Sequence, residues 1–286
     1  MNFEKQKDTF LNNFIPAALQ EDIGDGDHTS LACIDPNDRS TARLLVKDVG
    51  VLAGVEIAER IFKYVDPTAE FNLKIQDGTE VRMGDVAFEV TCNTQALLKA
   101  ERTVLNTMQR MSGIATMANR FAFEVEDFPV KILDTRKTTP LIRFLEKWAV
   151  SLGGCTNYRI GLYDWIMIKD NHIDACGGIK EAILQVKAYQ EEKGLKLPVT
   201  VEVRNLNELD IVLEVGNVDR IMLDNFELPL LKTAVAIVGE RFETEASGGI
   251  NIHNVRKVAK TGVDFISVGA LTHSAQSLDL SLKVKK

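Results

Sequence analysis

The chain has 286 residues, 45% of them hydrophobic and 26% charged, and its formal charge is −7 at neutral pH. That length suits one large α/β unit or two modest domains, and the acidic balance argues against a general nucleic-acid or anionic-membrane surface. Any anion must be held by a local group of cations acting against the overall field.

The four cysteines, Cys33, Cys92, Cys155 and Cys176, form no CxxC pair. Zinc and redox motifs of that kind are absent, and a reduced, cytoplasmic setting is expected. Residues 1–24 carry no cationic stretch followed by an apolar one, and no uncharged apolar run approaches about 18 residues. Neither a secretion signal nor a membrane span is predicted.

In chain order, residues 42–52 (ARLLVKDVGVL) alternate loosely like a strand. Residues 78–90 (GTEVRMGDVAFEV) read as two short strands about a turn at Met83, Gly84 and Asp85. The stretch 96–113 (ALLKAERTVLNTMQRMSG) has apolar residues at 97, 98, 104, 105, 108 and 111, which predicts a helix closed by Gly113. Arg102 falls at the edge of that stripe, where an arginine taken by itself reads as a solvated or snorkelling side chain.

From residue 130 the pattern becomes regular. Strand-type runs at 130–134 (VKILD), 165–168 (WIMI), 199–203 (VTVEV), 220–223 (RIML), 243–246 (ETEA) and 264–268 (DFISV) alternate with helical stretches. TTPLIRFLEKWAVSLGG offers Thr139 as N-cap, Pro140 as first helical residue, and Leu141, Leu145, Trp148 and Leu152 on one stripe before Gly153. RNLNELDIVLEVG starts at Asn205, has Glu208 three positions on, and closes at Gly216. Repeated strand–helix units imply parallel strands with right-handed crossovers. The last three runs start about 21–23 residues apart, as in a closed or nearly closed (β/α) barrel. A doubly wound open sheet is the alternative, and the lack of GxGxxG after an early strand lowers a dinucleotide-binding version of it.

What stands after each run carries the chemistry. In order these are Asp134-Thr135-Arg136-Lys137, Lys169-Asp170-Asn171-His172, Glu202, Asp224-Asn225, Ser247-Gly248-Gly249 and Gly269-Ala270. In a (β/α) barrel all of them open onto one face, where active sites lie. Arg136, Lys137, Arg159 and Lys169 give four cations on the first two units, which suits a polyanion. Glu202 and Asp224 suit Mg²⁺, ribose hydroxyls or both. The glycine turns in EASGGI and SVGALTHS suit a phosphate, because the loops after the last barrel strands commonly bind one. Together these residues predict a site for two anionic partners, one of them a sugar phosphate.

The stretches EDIGDGDHTS, AERTVLNTMQRMSGIAT, DTRKTTPLIRFLEKWAV, GGCTNYRIGLYDWIMIKDNHI, VEV, MLDN, ASGGI and VGALTHS run in order from about residue 20 to 280. Together they closely resemble the quinolinate phosphoribosyltransferase (carboxylating nicotinate-nucleotide pyrophosphorylase) family over nearly the whole chain. The resemblance implies quinolinate and phosphoribosyl pyrophosphate as substrates, and nicotinate mononucleotide, pyrophosphate and CO₂ as products. It also implies Mg²⁺ and a homodimer. The fold it implies is an N-terminal α/β (α+β sandwich-like) domain over 1–112, with 275–286 packing back on it, and an incomplete (β/α) barrel over 113–274.

Carried over residue by residue, Thr135, Arg136, Tyr158, Arg159, Lys169 and a partner subunit's Arg102 would hold quinolinate. Lys137 would meet phosphoribosyl pyrophosphate, while Glu202 and Asp224 would contact the ribose hydroxyls and the metal. Lys137, Lys169, Glu202 and Asp224 are the residues implied for catalysis. Ser247, Gly248, Gly249, Gly269 and Ala270 would cradle the 5′-phosphate with His273 nearby. One departure stands out: the family usually has histidine directly before the arginine, where this chain has Tyr158. The alternatives are a related phosphoribosyltransferase acting on another aromatic acid, a Schiff-base lyase using Lys169, and a non-catalytic phosphate-ligand sensor.

Overall fold

Alternating apolar residues in the first third and in the last few residues build one antiparallel sheet. The structure, a computed structural model, describes residues 3–285 and divides into two compact units. The first unit comprises Met1–Asn119, Pro140–Gly154 and Ala275–Lys286. Its elements are α1 (Phe3–Ile23), α2 (His28–Cys33), β1 (Arg39–Val46), β2 (Gly50–Val51), α3 (Val55–Val65), β3 (Glu70–Leu73), β4 (Glu80–Val81), β5 (Val86–Asn93), most of α4 (Thr94–Glu124), α5 (Arg143–Leu152) and β12 (Leu280–Val284). Its four-stranded sheet has the order β12-β1-β5-β3, and β2 pairs separately with β4. The inward row of β1, Ala42, Leu44 and Val46, is fully buried. Phe88 of β5 packs on Phe71 of β3 with ring centroids 4.5 Å apart.

The observed units depart from the expected domain limits in two places. The helix predicted to stop at Gly113 continues to Glu124. A Cβ on Gly113 would lie 1.9 Å from the carbonyl oxygen of Gln276, so the glycine admits a close backbone approach and does not end the helix. Second, α5 lies in the first unit, although the barrel was expected to contain it. Its side chains find their partners there: Phe144 stacks on Phe10 at 5.1 Å, Lys7 lies over the Trp148 ring, and Arg110 donates to the buried Glu146 at 2.7 Å. The helix also begins later than predicted, at Arg143 with Ile142 as N-cap. Leu141 has φ +69° and is 93% exposed, so the left-handed backbone there interrupts the turn that Thr139 and Pro140 would have started.

The second unit, Arg120–Thr139 and Cys155–Ser274, holds the regular strand–helix pattern. It contains β6 (Lys131–Leu133), β7 (Ile166–Ile168), α6 (Asp170–Cys176), α7 (Ile179–Lys193), β8 (Val199–Val203), α8 (Leu206–Val215), β9 (Arg220–Asp224), α9 (Leu228–Val238), β10 (Glu243–Ser247), α10 (Val255–Ala259), β11 (Phe265–Ser267) and α11 (Ala270–His273). Six strands pair in parallel in the order β6-β11-β10-β9-β8-β7, and a parallel bridge from Leu133 to Thr156 extends the β6 edge. The barrel is therefore incomplete, open between Thr156 and β7. Asn205 caps α8 as predicted, its side chain accepting from the Glu208 N–H at 3.0 Å. Among the described residues no helix is long and apolar enough to cross a membrane.

Alternation along the strands divides each between two faces. Val199, Val201 and Val203, with Ile221, Leu223, Ala246, Ile266 and Val268, form one apolar row that is almost wholly buried. The other face carries Lys169, Thr200, Glu202, Met222, Asp224, Glu245 and Ser267.

Gly113→Ala tests the close approach in the first unit. Alanine exceeds glycine inside a helix by about 1 kcal/mol, but forcing a methyl group against the Gln276 carbonyl costs more. Urea denaturation should show a net loss of about 2 kcal/mol; a gain would mean that the contact yields.

Candidate active site

The strand ends of the second unit surround a cavity of about 840 Å³, and every residue that lines it belongs to that unit. Fourteen of the residues singled out from the sequence meet there: Thr135, Arg136, Lys137, Tyr158, Arg159, Lys169, Glu202, Asp224, Ser247, Gly248, Gly249, Gly269, Ala270 and His273. Arg102 does not line it and is exposed on α4. Met167, Met222 and Ser267 also line the cavity and were not foreseen. Each stands two residues before a foreseen position (Lys169, Asp224 and Gly269), so strand periodicity could have found them. Asp170, Asn225 and Ile250 complete the lining.

Four cations, Arg136, Lys137, Arg159 and Lys169, face three carboxylates, Asp170, Glu202 and Asp224. The cavity thus has a positive excess in a chain whose formal charge is −7. Arg159 is only 9% exposed; desolvation and then repulsion from Arg136 hold its pKa below the usual arginine range. Arg136 has a buried Nε with no hydrogen-bond partner. A buried donor left unpaired costs about 1–3 kcal/mol, so both guanidinium groups favour a guest that supplies anionic acceptors.

Local bonds fix the loops that carry them. The Lys137 N–H donates to the Thr135 hydroxyl at 3.0 Å, and the Thr272 hydroxyl donates to the Lys137 carbonyl at 2.8 Å. Asp134, buried behind β6, accepts from the Tyr158 N–H at 2.8 Å and from Asn157 at 2.7 Å. Arg159 donates to the Trp165 carbonyl at 3.2 Å. Asp164 ties the intervening loop by accepting from the backbone N–H groups of Ile160 and Gly161.

Lys169 ends β7 and caps α6, and its ammonium lies 2.6 Å from Glu202. The Lys169 N–H donates to Nδ1 of His172 at 2.9 Å, which makes His172 part of the helix cap and leaves its proton on Nε2. Asp224, at the end of β9, accepts from Asn225 at 2.6 Å. Gly248 has φ +95°, and a Cβ there would lie 2.2 Å from the Asn225 side-chain oxygen. Only glycine fits that turn. At Gly269 a Cβ would stand 3.0 Å from Lys137 and 3.1 Å from His273, so these three residues share one corner of the cavity.

Tyr158 presents its ring to the cavity, but its hydroxyl pairs with Thr200 at 2.7 Å beneath the floor. Burial, the largest influence, pushes the phenol well above its ordinary value of 10.0. The fold therefore holds the neutral form. Its contribution is full below pH 10.0 and declines as pH rises through the elevated folded value. Tyrosinate absorbance from Tyr158, identified by difference from Tyr158→Phe, should appear only together with alkaline unfolding followed by circular dichroism. Its appearance in still-folded protein would contradict this burial.

Residues 27–112 match the model of the quinolinate phosphoribosyl transferase N-terminal domain, and residues 114–283 match that of the C-terminal domain. Quinolinate phosphoribosyltransferase [decarboxylating] 1b of Nicotiana tabacum is 45% identical over 289 residues, covering 96% of this chain and 82% of the relative. A probable nicotinate-nucleotide pyrophosphorylase [carboxylating] of Bacillus subtilis (strain 168) is 41% identical over 274 residues, with coverage of 96% and 92%. The crystal structure of NadC from Streptococcus pyogenes superposes with a TM-score of 0.91 at 37% identity, covering 96% of both chains. With both domain models matched in order, and with relatives this similar along nearly its full length, the chain belongs to the quinolinate phosphoribosyl transferase family.

Proposed function

We propose that this chain couples quinolinate, through its ring nitrogen, to C1′ of phosphoribosyl pyrophosphate, giving nicotinate mononucleotide, pyrophosphate and CO₂ in de novo NAD biosynthesis. The observation that carries this reading is the pair Arg136 and Arg159, one with an orphaned buried Nε and the other desolvated and then repelled by its neighbour. Two cations held together in this way match two adjacent carboxylates on one ring. Lys169, two residues beyond Met167 on the same face, gives the second carboxylate a third cationic partner.

Lys137, in the corner with Gly269 and His273, meets the phosphoribosyl donor. The turn Ser247-Gly248-Gly249 and the Gly269-Ala270 step cradle its 5′-phosphate. Departure of pyrophosphate places positive charge on the ribose ring, and the carboxylates of Glu202 and Asp224 stabilise it. The pyridine nitrogen attacks from the opposite face, so fixed positions for both partners supply much of the rate. The quaternised nitrogen then accepts the electron pair left at C2 as CO₂ departs, and a proton takes its place at C2. The Lys169 ammonium would stabilise that pair.

Mg²⁺ fits this donor set. It is commonly held by one or two carboxylates together with substrate phosphates. Glu202 and Asp224 are two such carboxylates, and among the described residues no group of three or more metal-ligating side chains exists. They would hold the ion together with the pyrophosphate, where it would neutralise charge on the leaving group. A Schiff-base role for Lys169 is disfavoured by its ion pair with Glu202, since such lysines sit desolvated or beside other cations.

Release of CO₂ and pyrophosphate from quinolinate and phosphoribosyl pyrophosphate, with nicotinate as control, tests the activity. Absence of turnover, or faster turnover of nicotinate, refutes it. CO₂ released without the phosphoribosyl donor would overturn the proposed order of steps. Lys169→Ala should lower kcat roughly 100-fold or more; a change of only a few fold removes Lys169 from the mechanism. We further propose a homodimer in which Arg102 of each subunit reaches the other's cavity. Mixing inactive Arg102→Ala and Lys169→Ala proteins after reversible dissociation should then restore part of the lost activity, whereas no recovery rejects the shared site.

A further inference from the structure

Beneath the cavity floor lies a charged pair that the proposed chemistry does not use. Glu245 on β10 has no exposed surface and Arg220 on β9 is 5% exposed; Arg220 donates to Glu243 at 2.8 and 3.0 Å and to Glu245 at 3.4 Å. The Arg220 guanidinium lies over Phe265 at 3.7 Å from the ring centroid and over Tyr158 and Trp165 at 5.1 Å each. Layers inside a (β/α) barrel are usually filled with bulky apolar side chains. Burying an ion pair there is often no more stabilising than apolar residues of similar volume. Packing alone gives no reason for its presence.

The hydrogen bonds around Glu245 supply one, because all of them run toward it. The Ser267 hydroxyl, whose residue lines the cavity, donates to Glu245 at 2.5 Å. Arg220, which donates to the other Glu245 oxygen, packs over the Tyr158 and Trp165 rings. Tyr158 in turn pairs with Thr200 at 2.7 Å, and Thr200 accepts from the Trp165 indole N–H at 2.8 Å. An indole N–H can only donate, so the Thr200 oxygen accepts from Trp165 while Thr200 and Tyr158 share a hydroxyl–hydroxyl bond. At the far end of this chain, the Trp165 carbonyl accepts from the Arg159 guanidinium.

We propose that Arg220 and Glu245 are positioning residues for the carboxylate clamp: Arg220, held by Glu243 and Glu245, packs on the Tyr158 and Trp165 rings, and through Tyr158, Thr200 and Trp165 this group sets the placement of Arg159. The proposal rests on the reading of the cavity as the quinolinate site. It also explains Tyr158, whose hydroxyl is a joint in the chain below the floor and not a ligand in the cavity.

Thr200→Val and Tyr158→Phe each break the chain at one joint with little change of shape, and Thr200 does not line the cavity. Each should raise KM for quinolinate about tenfold, as expected for one lost bond to a charged network, and leave KM for phosphoribosyl pyrophosphate within about twofold. The double variant should be no worse than about either single one, because both cut the same chain. Glu245→Gln should shift the same constant in the same direction; if it does not fold, the other two variants decide. A residue that only fills the barrel would change thermal stability and leave both constants alone. Quinolinate KM within about twofold of the parent in Thr200→Val and Tyr158→Phe, or equal shifts in both constants, overturns the proposal. Parent enzyme assayed alongside separates the two readings. A parent inactive on quinolinate rejects the activity, whereas an active parent with unresponsive variants rejects only the positioning chain.

Discussion

Repulsion between Arg136 and Arg159 is the constraint that the rest of the second unit answers. Desolvation, and then the nearby Arg136 charge, lower the affinity of Arg159 for its proton. Left to itself, such a pair would splay into solvent. Instead, Asp134 pins the backbone at Tyr158, Asp164 closes the loop after Arg159, and Thr272 holds the Lys137 carbonyl. The buried Glu245 also favours charged Arg159, though it ranks behind nearer influences. The site is organised before any guest arrives, so little reorganisation remains for the moment of binding.

The same logic governs the opposite wall. Lys169 and Glu202 neutralise one another at 2.6 Å, which keeps each in place on its strand end. Lysine suits this pairing, being a point charge on a flexible stem, where an arginine would be held by its planar fork.

Much of this was legible in the residues. Strand-type runs followed by charged or glycine-bearing turns predicted both the parallel sheet and the face on which the cavity opens. Thr135 to Lys137, Lys169, Glu202, Asp224 and the two glycine turns all line it. The misses have physical causes. Gly113 looked like a helix stop because a lone glycine is a poor helix former, whereas its purpose depends on Gln276, a residue 163 positions away. Leu141 fitted an apolar stripe, yet its backbone is left-handed and its side chain is exposed. Glu245 and Arg220 went unnoticed because, in a sequence, charged residues within strands resemble solvent-facing positions.

By itself the sequence determined the class of fold, the order of the strand ends and the kinds of charge gathered at them. These follow from local periodicity and from the chemistry of side chains at known offsets. Tertiary structure alone decided which of those charges are buried, which are paired and which are left waiting. Arg136 and Arg159 acquire their setting only from a shared cavity, and Tyr158 its meaning only from Thr200 and Arg220, 42 and 62 residues further along. Desolvation and through-space charge depend on what surrounds a group in three dimensions, and no spacing along the chain encodes that.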